Sequence, residues 1–387
     1  MKNKKVLFLQ NEGKIYGGVW QVNKLVGEEL LKRNYQVSVV SIRNNPSNIE
    51  TEHNPKLEVF TINEKELWGT YSGREIIKEL TTLHIFKSLK MVITKIKYLI
   101  NFKKDIKKLH NYIHEYNPDY IITSQYQLID MIPKDYLNKT IHEQHTSFKD
   151  AKNHRATINT FKKYNNKIKF LWLTKKTMED AKKFGLNNNS YIYNAVRFKT
   201  EKITNTDKNK KLITIARLSE QKRIDIMIDI VKSIFEDKKY KEWCLEIYGT
   251  GELEEELRKQ INNHKQILLM GITNNPQKEL LDASINLNTS SFEGFSLSIL
   301  EANECGVPTV TLDFGESVEE EILNNKTGII AENIDDYKEK LKELMNNKEK
   351  LKEFSKNAKE FSKSFQIENI VEDWIDLFKE IDKRKGE

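Results

Sequence analysis

Cysteine is almost missing from this chain: of 387 residues only Cys244 and Cys305 are cysteines, which excludes a disulfide scaffold and fits a reducing compartment. With no CxxC and no clustered His/Cys spacing, the sequence offers no zinc site. Long apolar runs are absent as well. The opening "MKNKKVLFLQNEGK" is basic, but its apolar run breaks too early for the h-region of a signal peptide or for a membrane span. A cytoplasmic protein, neither secreted nor integral, is the expectation.

Three nucleotide and metal signatures are also missing. No GxGxxG and no GK[ST] occurs, which weakens a dinucleotide site and a P-loop ATPase. No DxD occurs either, so no catalytic metal and no cofactor are expected. Neither an internal repeat nor a low-complexity tract appears.

What is present is charge and periodic hydrophobicity. Apolar residues make up 38% and charged residues 31%, with a mean hydropathy of −0.65, yet the apolar residues recur in periodic blocks, as in a folded protein. Residues 1–195 carry 33 Lys and Arg against 19 Asp and Glu, net +14; the remainder, with 31 against 38, is net −7. The two halves therefore face different partners, and the length allows two domains.

Short β-branched or aromatic runs alternate with longer amphipathic ones from end to end, the pattern of βαβ units on parallel sheets. "KKVLFLQ", "YQVSVVSI", "DYIITS", "KTIHEQH", "IKFLWLT" and "NSYIYN" read as strands of a first domain, residues 1–195. The polar stretch "AVRFKTEKITNTDKNK" reads as a linker. A second domain, 196–365, follows with strands at "KLITIAR", "CLEIYGTG", "ILLMG", "INLNT", "PTVTL" and "TGIIA". The tail is helical in pattern, with Trp374 and Phe378 on one apolar stripe; its last part, 366–387, is expected to pack back on the N-terminal domain.

In open α/β sheets ligands bind beyond the carboxyl ends of the strands. "NEGKIYGGVW" follows the first strand and leads into a helix, so Gly17 and Gly18 permit either close approach of a phosphate to a helix start or simply a tight turn. "ARLSEQKRID" sets Arg217 and Lys222 in a loop before a helix. A guanidinium fork and an ammonium are what a diphosphate wants; in so lysine-rich a chain either residue alone would read as a solvated surface cation, but the strand-end position tips the pair to function.

"SFEGFSLSILEANECGVPTV" places Glu293 before a helix and Glu301 on its second turn, about 10 Å or more away. A retaining-glycosidase pair needs carboxyls about 5 Å apart. Two separate roles on one ligand follow, with the Ser296 and Leu297 amides at the helix start suited to an anion. Taken alone, an acidic cap and an ordinary surface glutamate would account for both.

"EGFSLSILEANECGVP" closely resembles the E-x7-E signature of retaining GT-B glycosyltransferases of family 4, usually "EGFGLxxLEAxAxGxPV". "IARLSEQKRID" resembles that family's "GRLxxxKGxD", "IYGTGELEEEL" its "GxGxxxxxL", and the "YGGV" loop its N-terminal glycine loop. The motifs run in the same order over nearly the whole chain. The resemblance implies an α/β, GT-B fold, two Rossmann-like domains facing each other across a cleft, with C-terminal helices. It implies a nucleotide-sugar donor, by family frequency a UDP-sugar, as substrate.

On that resemblance Arg217 and Lys222 bind the diphosphate, Glu293 the donor sugar and Glu301 the ribose hydroxyls. Gly17, Gly18, Gly249, Gly294, Phe295, Ser296 and Leu297 complete the donor site, and Gly271 and Ile272 border the base. A histidine near the reacting carbon is implied too; His142 and His145 both qualify, and His145 lies nearer the loop. The implied catalytic set is Glu293, His145, Lys222 and Arg217, and the implied reaction is retaining and metal-independent.

Departures leave the donor open: Ala216 replaces a frequent glycine, Lys222-Arg223-Ile224-Asp225 replaces "KGxD", and "DFGESVEEEI" replaces "YGPxEI". A nucleotide-sugar epimerase on the same frame and a non-catalytic sugar-nucleotide-binding subunit are the alternatives. The acceptor is expected to be an anionic or lipid-linked cell-surface glycan of teichoic-acid type, with no nucleic acid as partner. Residues 84–110 carry eight lysines against the single acid Asp105, and Ile85, Leu89, Val92, Ile96 and Leu99 recur at helical spacing. That stretch reads as a peripheral contact with the anionic inner membrane face, as a face for an anionic polymer, or as a packed helix with solvated lysines.

Overall fold

A computed structural model of the chain describes residues 3–12, 18–43, 53–63, 85–204, 210–315 and 317–384. It contains two compact units, one of Met1–Glu143, Arg155–Phe170 and Leu377–Glu387, the other of Gln144–His154 and Leu171–Asp376.

One sheet contains β1 (Lys5–Glu12), β2 (Gln36–Arg43), β3 (Glu58–Asn63), β4 (Tyr120–Thr123), β5 (Thr140–Gln144), β6 (Lys169–Trp172) and β7 (Asn189–Tyr191). Their order is β3-β2-β1-β4-β5-β6-β7, and the pairings from β3 through β5 are parallel. Val6, Leu7, Phe8 and Leu9 are fully buried; a parallel strand covered on both faces needs such an unbroken apolar run. β3 was not among the strands expected. Its sequence, "EVFTIN", alternates only weakly, and it lies at the sheet edge with Phe60 exposed.

The other sheet contains β8 (Lys211–Ile215), β9 (Cys244–Tyr248), β10 (Ile267–Gly271), β11 (Ile285–Asn288), β12 (Thr309–Leu312) and β13 (Gly328–Ala331), in the order β10-β9-β8-β11-β12-β13. All five pairings are parallel. The helix Ile224–Phe235 buries Ile224, Met227, Ile228, Val231 and Ile234, the i, i+3, i+4, i+7 stripe that lays a helix on a sheet. There it meets Leu212, Leu245, Ile247, Leu287 and Val310 from the strands. Both sheets thus have the Rossmann-like build the sequence pattern implies.

The stretch read as a linker is pinned through Thr204. Val196 N donates to Phe365 O at 2.9 Å, Thr200 N to Glu304 Oε1 at 2.8 Å and Thr204 N to Cys305 O at 2.9 Å. Its polar residues gave it a linker's composition, while its amides are held by the second unit. In the first unit, the last turns of the helix Ile367–Arg384 pack on the sheet. The Phe378 ring stacks on Tyr120 at 4.1 Å, and Asp382 accepts from Tyr120 Oη at 2.7 Å and Lys4 Nζ at 3.1 Å. Among the described residues no helix is long and apolar enough to cross a membrane.

Candidate functional site

In the second sheet the strand order reverses between β8 and β11, and a ligand crevice forms beyond the carboxyl ends of strands that diverge in this way. The loop after β8 carries Arg217 and Lys222; the loop after β11 carries Glu293. These loops are laced together. Thr289 Oγ1 donates to Lys222 O at 3.0 Å and Arg223 O at 2.9 Å, Ser291 N donates to Gln221 O at 2.9 Å, and Gln221 Nε2 donates to Phe292 O at 2.8 Å.

The lacing fixes the side chains. Arg223 takes a left-handed φ of 49°, turning the chain from the short 3-10 turn Glu220–Lys222 into the following helix. Lys222 Nζ then forms an ion pair with Glu293 Oε1, and the two side chains keep only 20% and 9% of their exposure. Partial removal from water strengthens such a pair relative to one on the open surface. Arg217 is exposed, and among the described residues it pairs with no carboxylate.

Gly294 is held by close approach. A Cβ there would lie 2.0 Å from His145 O and 2.7 Å from its carbonyl carbon. The His145 backbone therefore lies directly against the residue that follows Glu293. His142, the other histidine considered, is fully buried in β5 and packs on Phe161 and Phe170 at ring distances of 5.2 and 6.1 Å, as a core residue does. Gly249 is constrained in the same way as Gly294, with φ +136° and a Cβ position 1.9 Å from Ala216 O. Its amide donates to Gly271 O at 2.8 Å, which draws the ends of β8, β9 and β10 together; Ile272 beyond them is exposed.

Glu301 is 1% exposed and lies on the helix Leu297–Glu304. Arg197 grips it with two bonds, Nε to Oε1 and Nη2 to Oε2, the latter at 2.8 Å. The two carboxylates of the E-x7-E stretch thus have different cations. The Ser296 amide is already engaged, donating to Glu321 Oε2 at 2.9 Å. Burial pushes the Glu321 carboxyl well above the ordinary range, and the charge of Glu293 adds to the rise. Phe295 is buried against Tyr193, ring centroids 5.1 Å apart, and its carbonyl accepts from Asn194 Nδ2 at 3.1 Å. Leu297 opens its helix.

In the first unit Gly18 is exposed at the start of the helix Gly18–Lys32; Gly17 lies outside the described residues. Among the described residues no group of three or more His, Cys, Asp or Glu could hold a metal ion.

Sequence reasoning missed Arg197 and Glu321. Arg197 stood in a stretch with a linker's composition. Glu321 closes a run of three glutamates, of which Glu320 instead accepts from the Lys175 and Lys176 amides and Tyr193 Oη at 2.9, 2.8 and 2.7 Å. Nothing in "VEEEI" marks which glutamate turns inward.

Residues 196–361 match the model of the family described as Glycosyl transferases group 1. The chain is 33% identical over 202 residues to the poly(ribitol-phosphate) alpha-N-acetylglucosaminyltransferase of Staphylococcus aureus (strain COL), a match covering 50% of this chain and 39% of that protein. It is 26% identical over 255 residues to the poly(glycerol-phosphate) alpha-glucosyltransferase of Bacillus subtilis (strain 168), covering 62% and 37%. The chain thus spans well under half the length of these curated relatives. Its fold is GT-B: a mutant of S. aureus TarM solved with Fondaparinux, alpha-GlcNAc-glycerol and UDP matches with a TM-score of 0.75 at 18% identity, over 97% of this chain and 99% of that one.

Proposed function

We propose that this chain is a glycosyltransferase that moves a hexose or N-acetylhexosamine from a nucleotide diphosphate sugar, a UDP-sugar, to a cell-surface glycan with retention at the anomeric carbon. The observation that carries the reading is the Lys222–Glu293 ion pair, held at the switch point of the second sheet by the lacing of two strand-end loops. The group 1 family match and the polyol-phosphate glycosyltransferases among the relatives support it.

When the bond from the anomeric carbon to the diphosphate oxygen breaks, the electron pair leaves with the diphosphate, a hydroxyl oxygen of the acceptor takes its place on carbon, and the hydroxyl proton passes to the departing diphosphate. Lys222 and Arg217 stabilise the negative charge that grows on the leaving group, which is the work preorganised cations do best. Glu293 holds the sugar, Glu301 the ribose, and the His145 segment borders the reacting carbon. Lys222 and Arg217 supply the positive charge that a metal would otherwise bring, so the reaction proceeds without one.

The acceptor is an anionic or lipid-linked glycan of teichoic-acid type, met by the net-positive half of the chain at the cytoplasmic face of the membrane. The test is a panel of nucleotide sugars scored for hydrolysis and for thermal stabilisation of the protein. One UDP-sugar should stabilise and be hydrolysed slowly without acceptor. Release of an epimer of the donor sugar without acceptor would replace the reading with an epimerase, and stabilisation without any turnover on any glycan would replace it with a binding subunit.

A further inference from the structure

The helix Ile85–Tyr116 is apolar on two opposite sides. Successive residues turn by about 100°, which puts Met91, Phe102, Asp105, Leu109 and Ile113 on one side. Leu109 and Ile113 are fully buried in the core of the first unit, and Met91 is 5% exposed. That side accounts for the packing of the helix.

Leu89, Ile93, Ile96 and Ile100 fall within about 60° of one another on the other side. They are 56%, 45%, 51% and 50% exposed. The sequence pattern put this stripe at Ile85, Leu89, Val92, Ile96 and Leu99; the Ile85 side chain lies outside the described residues, and the exposed line instead passes through Ile93 and Ile100, with Leu99 at its flank. Four large aliphatic residues in one outward line are more than scattered exposure explains.

Continued toward the carboxyl end, the same line becomes basic. Lys103, Lys104 and Lys107 occupy the outward side one to two turns beyond Ile100, with Lys90 and Lys97 at the flank of the apolar part, all exposed. Among the described residues none of these lysines forms an ion pair. The only acid between Ile85 and His110, Asp105, is turned inward, 5% exposed and bound by Asn63 Nδ2 at 3.0 Å. From Leu89 to Lys108 the outward face is therefore aliphatic and cationic, with no carboxylate to repel an anionic surface; the exposed Glu115 lies about two turns further on.

We infer that this face docks on an anionic lipid bilayer, with the helix lying in the interface plane. Leu89, Ile93, Ile96 and Ile100 enter the acyl boundary, while Lys103, Lys104 and Lys107 lie among the headgroups. Aliphatic side chains next to lysines on one line match the layering of a bilayer surface, apolar below and anionic above. A soluble polyanion would use the lysines and leave the aliphatic line in water. The inference names the surface behind the peripheral location proposed above, and its evidence does not depend on the glycosyl-transfer chemistry.

The test mixes the full chain with vesicles of phosphatidylcholine alone and with about one-third phosphatidylglycerol. The chain should sediment with the anionic vesicles only, and less as salt rises. Changing Lys103, Lys104 and Lys107 to Gln should lower partitioning about 10²-fold, roughly five-fold for each lysine. Ile93→Ser with Ile96→Ser should lower it at least about ten-fold. An Ile96→Trp variant should gain a blue-shifted emission on anionic vesicles only. All these side chains are exposed, so the variants should keep wild-type melting and donor hydrolysis, which separates failure here from failure of the catalytic reading.

Three results overturn the inference. One is no sedimentation with anionic vesicles at low salt. Another is a solution dimer that Ile93→Ser with Ile96→Ser dissociates, which would mean a second copy covers the stripe. The third is equal binding to vesicles and to soluble poly(glycerol phosphate) that ignores the serine substitutions, which would make the face a purely electrostatic polymer track.

Discussion

Lys222 and Glu293, 71 positions apart in sequence, close an ion pair where the strand order of the second sheet reverses. Lys222→Ala should lower sugar-transfer turnover by about 10²-fold or more, because the ammonium is assigned to charge that develops on the leaving group. Circular dichroism melting run alongside the kinetics separates a lost site from a lost fold. Transfer at near wild-type rates would remove Lys222 from the catalytic set.

Arg197 and Glu301 form a second pair, with Glu301 1% exposed. Arg197→Ala leaves that carboxylate bare and should destabilise the protein by about 3 kcal/mol. Adding Glu301→Gln should restore most of the loss, since the cost lies in the unpaired buried charge. Urea unfolding of the two variants checks this. A double variant no more stable than Arg197→Ala alone would show that the loss comes from packing.

Gly294 is tight in space. A Cβ at 2.0 Å from His145 O forces two backbone segments apart beside Glu293, and displacement of about 1 Å can cost 10²-fold in rate. Gly294→Ala should therefore lose about that much turnover. Gly185→Ala is the control: its φ of +99° is strained but nothing lies within 4 Å, so it should lose about 1 kcal/mol of stability and keep its rate. Equal turnover in the two variants would contradict the close-approach account.

Glu321 gives the stability a pH dependence of definite sign. Its folded pKa lies well above 4.5. Below 4.5 the proton is bound in both states. Above it the unfolded carboxyl ionises while the native one keeps its proton, so the unfolded state binds fewer protons and stability falls as pH rises toward the folded pKa. Glu321→Gln removes the titration. The melting temperature of the wild type relative to that of the variant should fall as pH rises above the ordinary carboxylate range. A flat or rising difference would mean that Glu321 is ionised in the native protein.

Activity should persist in excess chelator, because the proposed reaction assigns the positive charge at the diphosphate to Lys222 and Arg217. Complete loss, restored by manganese or magnesium, would mean that the diphosphate site has been misread.

Most strands were legible because parallel strands buried on both faces are near-continuous apolar runs, as in "VLFL" and "FLWL". β3 was not, since an edge strand with exposed Phe60 carries no such requirement. The loops with Arg217, Lys222 and Glu293 could be located because chemistry collects at strand ends. Arg197 and Glu321 could not, since a lone arginine or one glutamate in a run of three looks the same in sequence whether its partner is water or a buried group.

By itself, then, the sequence determined the alternation of strand and helix, the positions of the strand-end loops, and the charge carried by each half, because these depend on periodicity and composition along the chain. Only the tertiary structure decided which carboxylate meets which cation. It also decided that Asp105 faces inward while Ile93 and Ile96 face outward, and that Thr200 and Thr204 are bound to the second unit. The physical reason is that the value of a charge or an aliphatic group depends on its burial and its neighbours. Those neighbours are often far away in sequence, as Arg197 is from Glu301 and Asn63 is from Asp105.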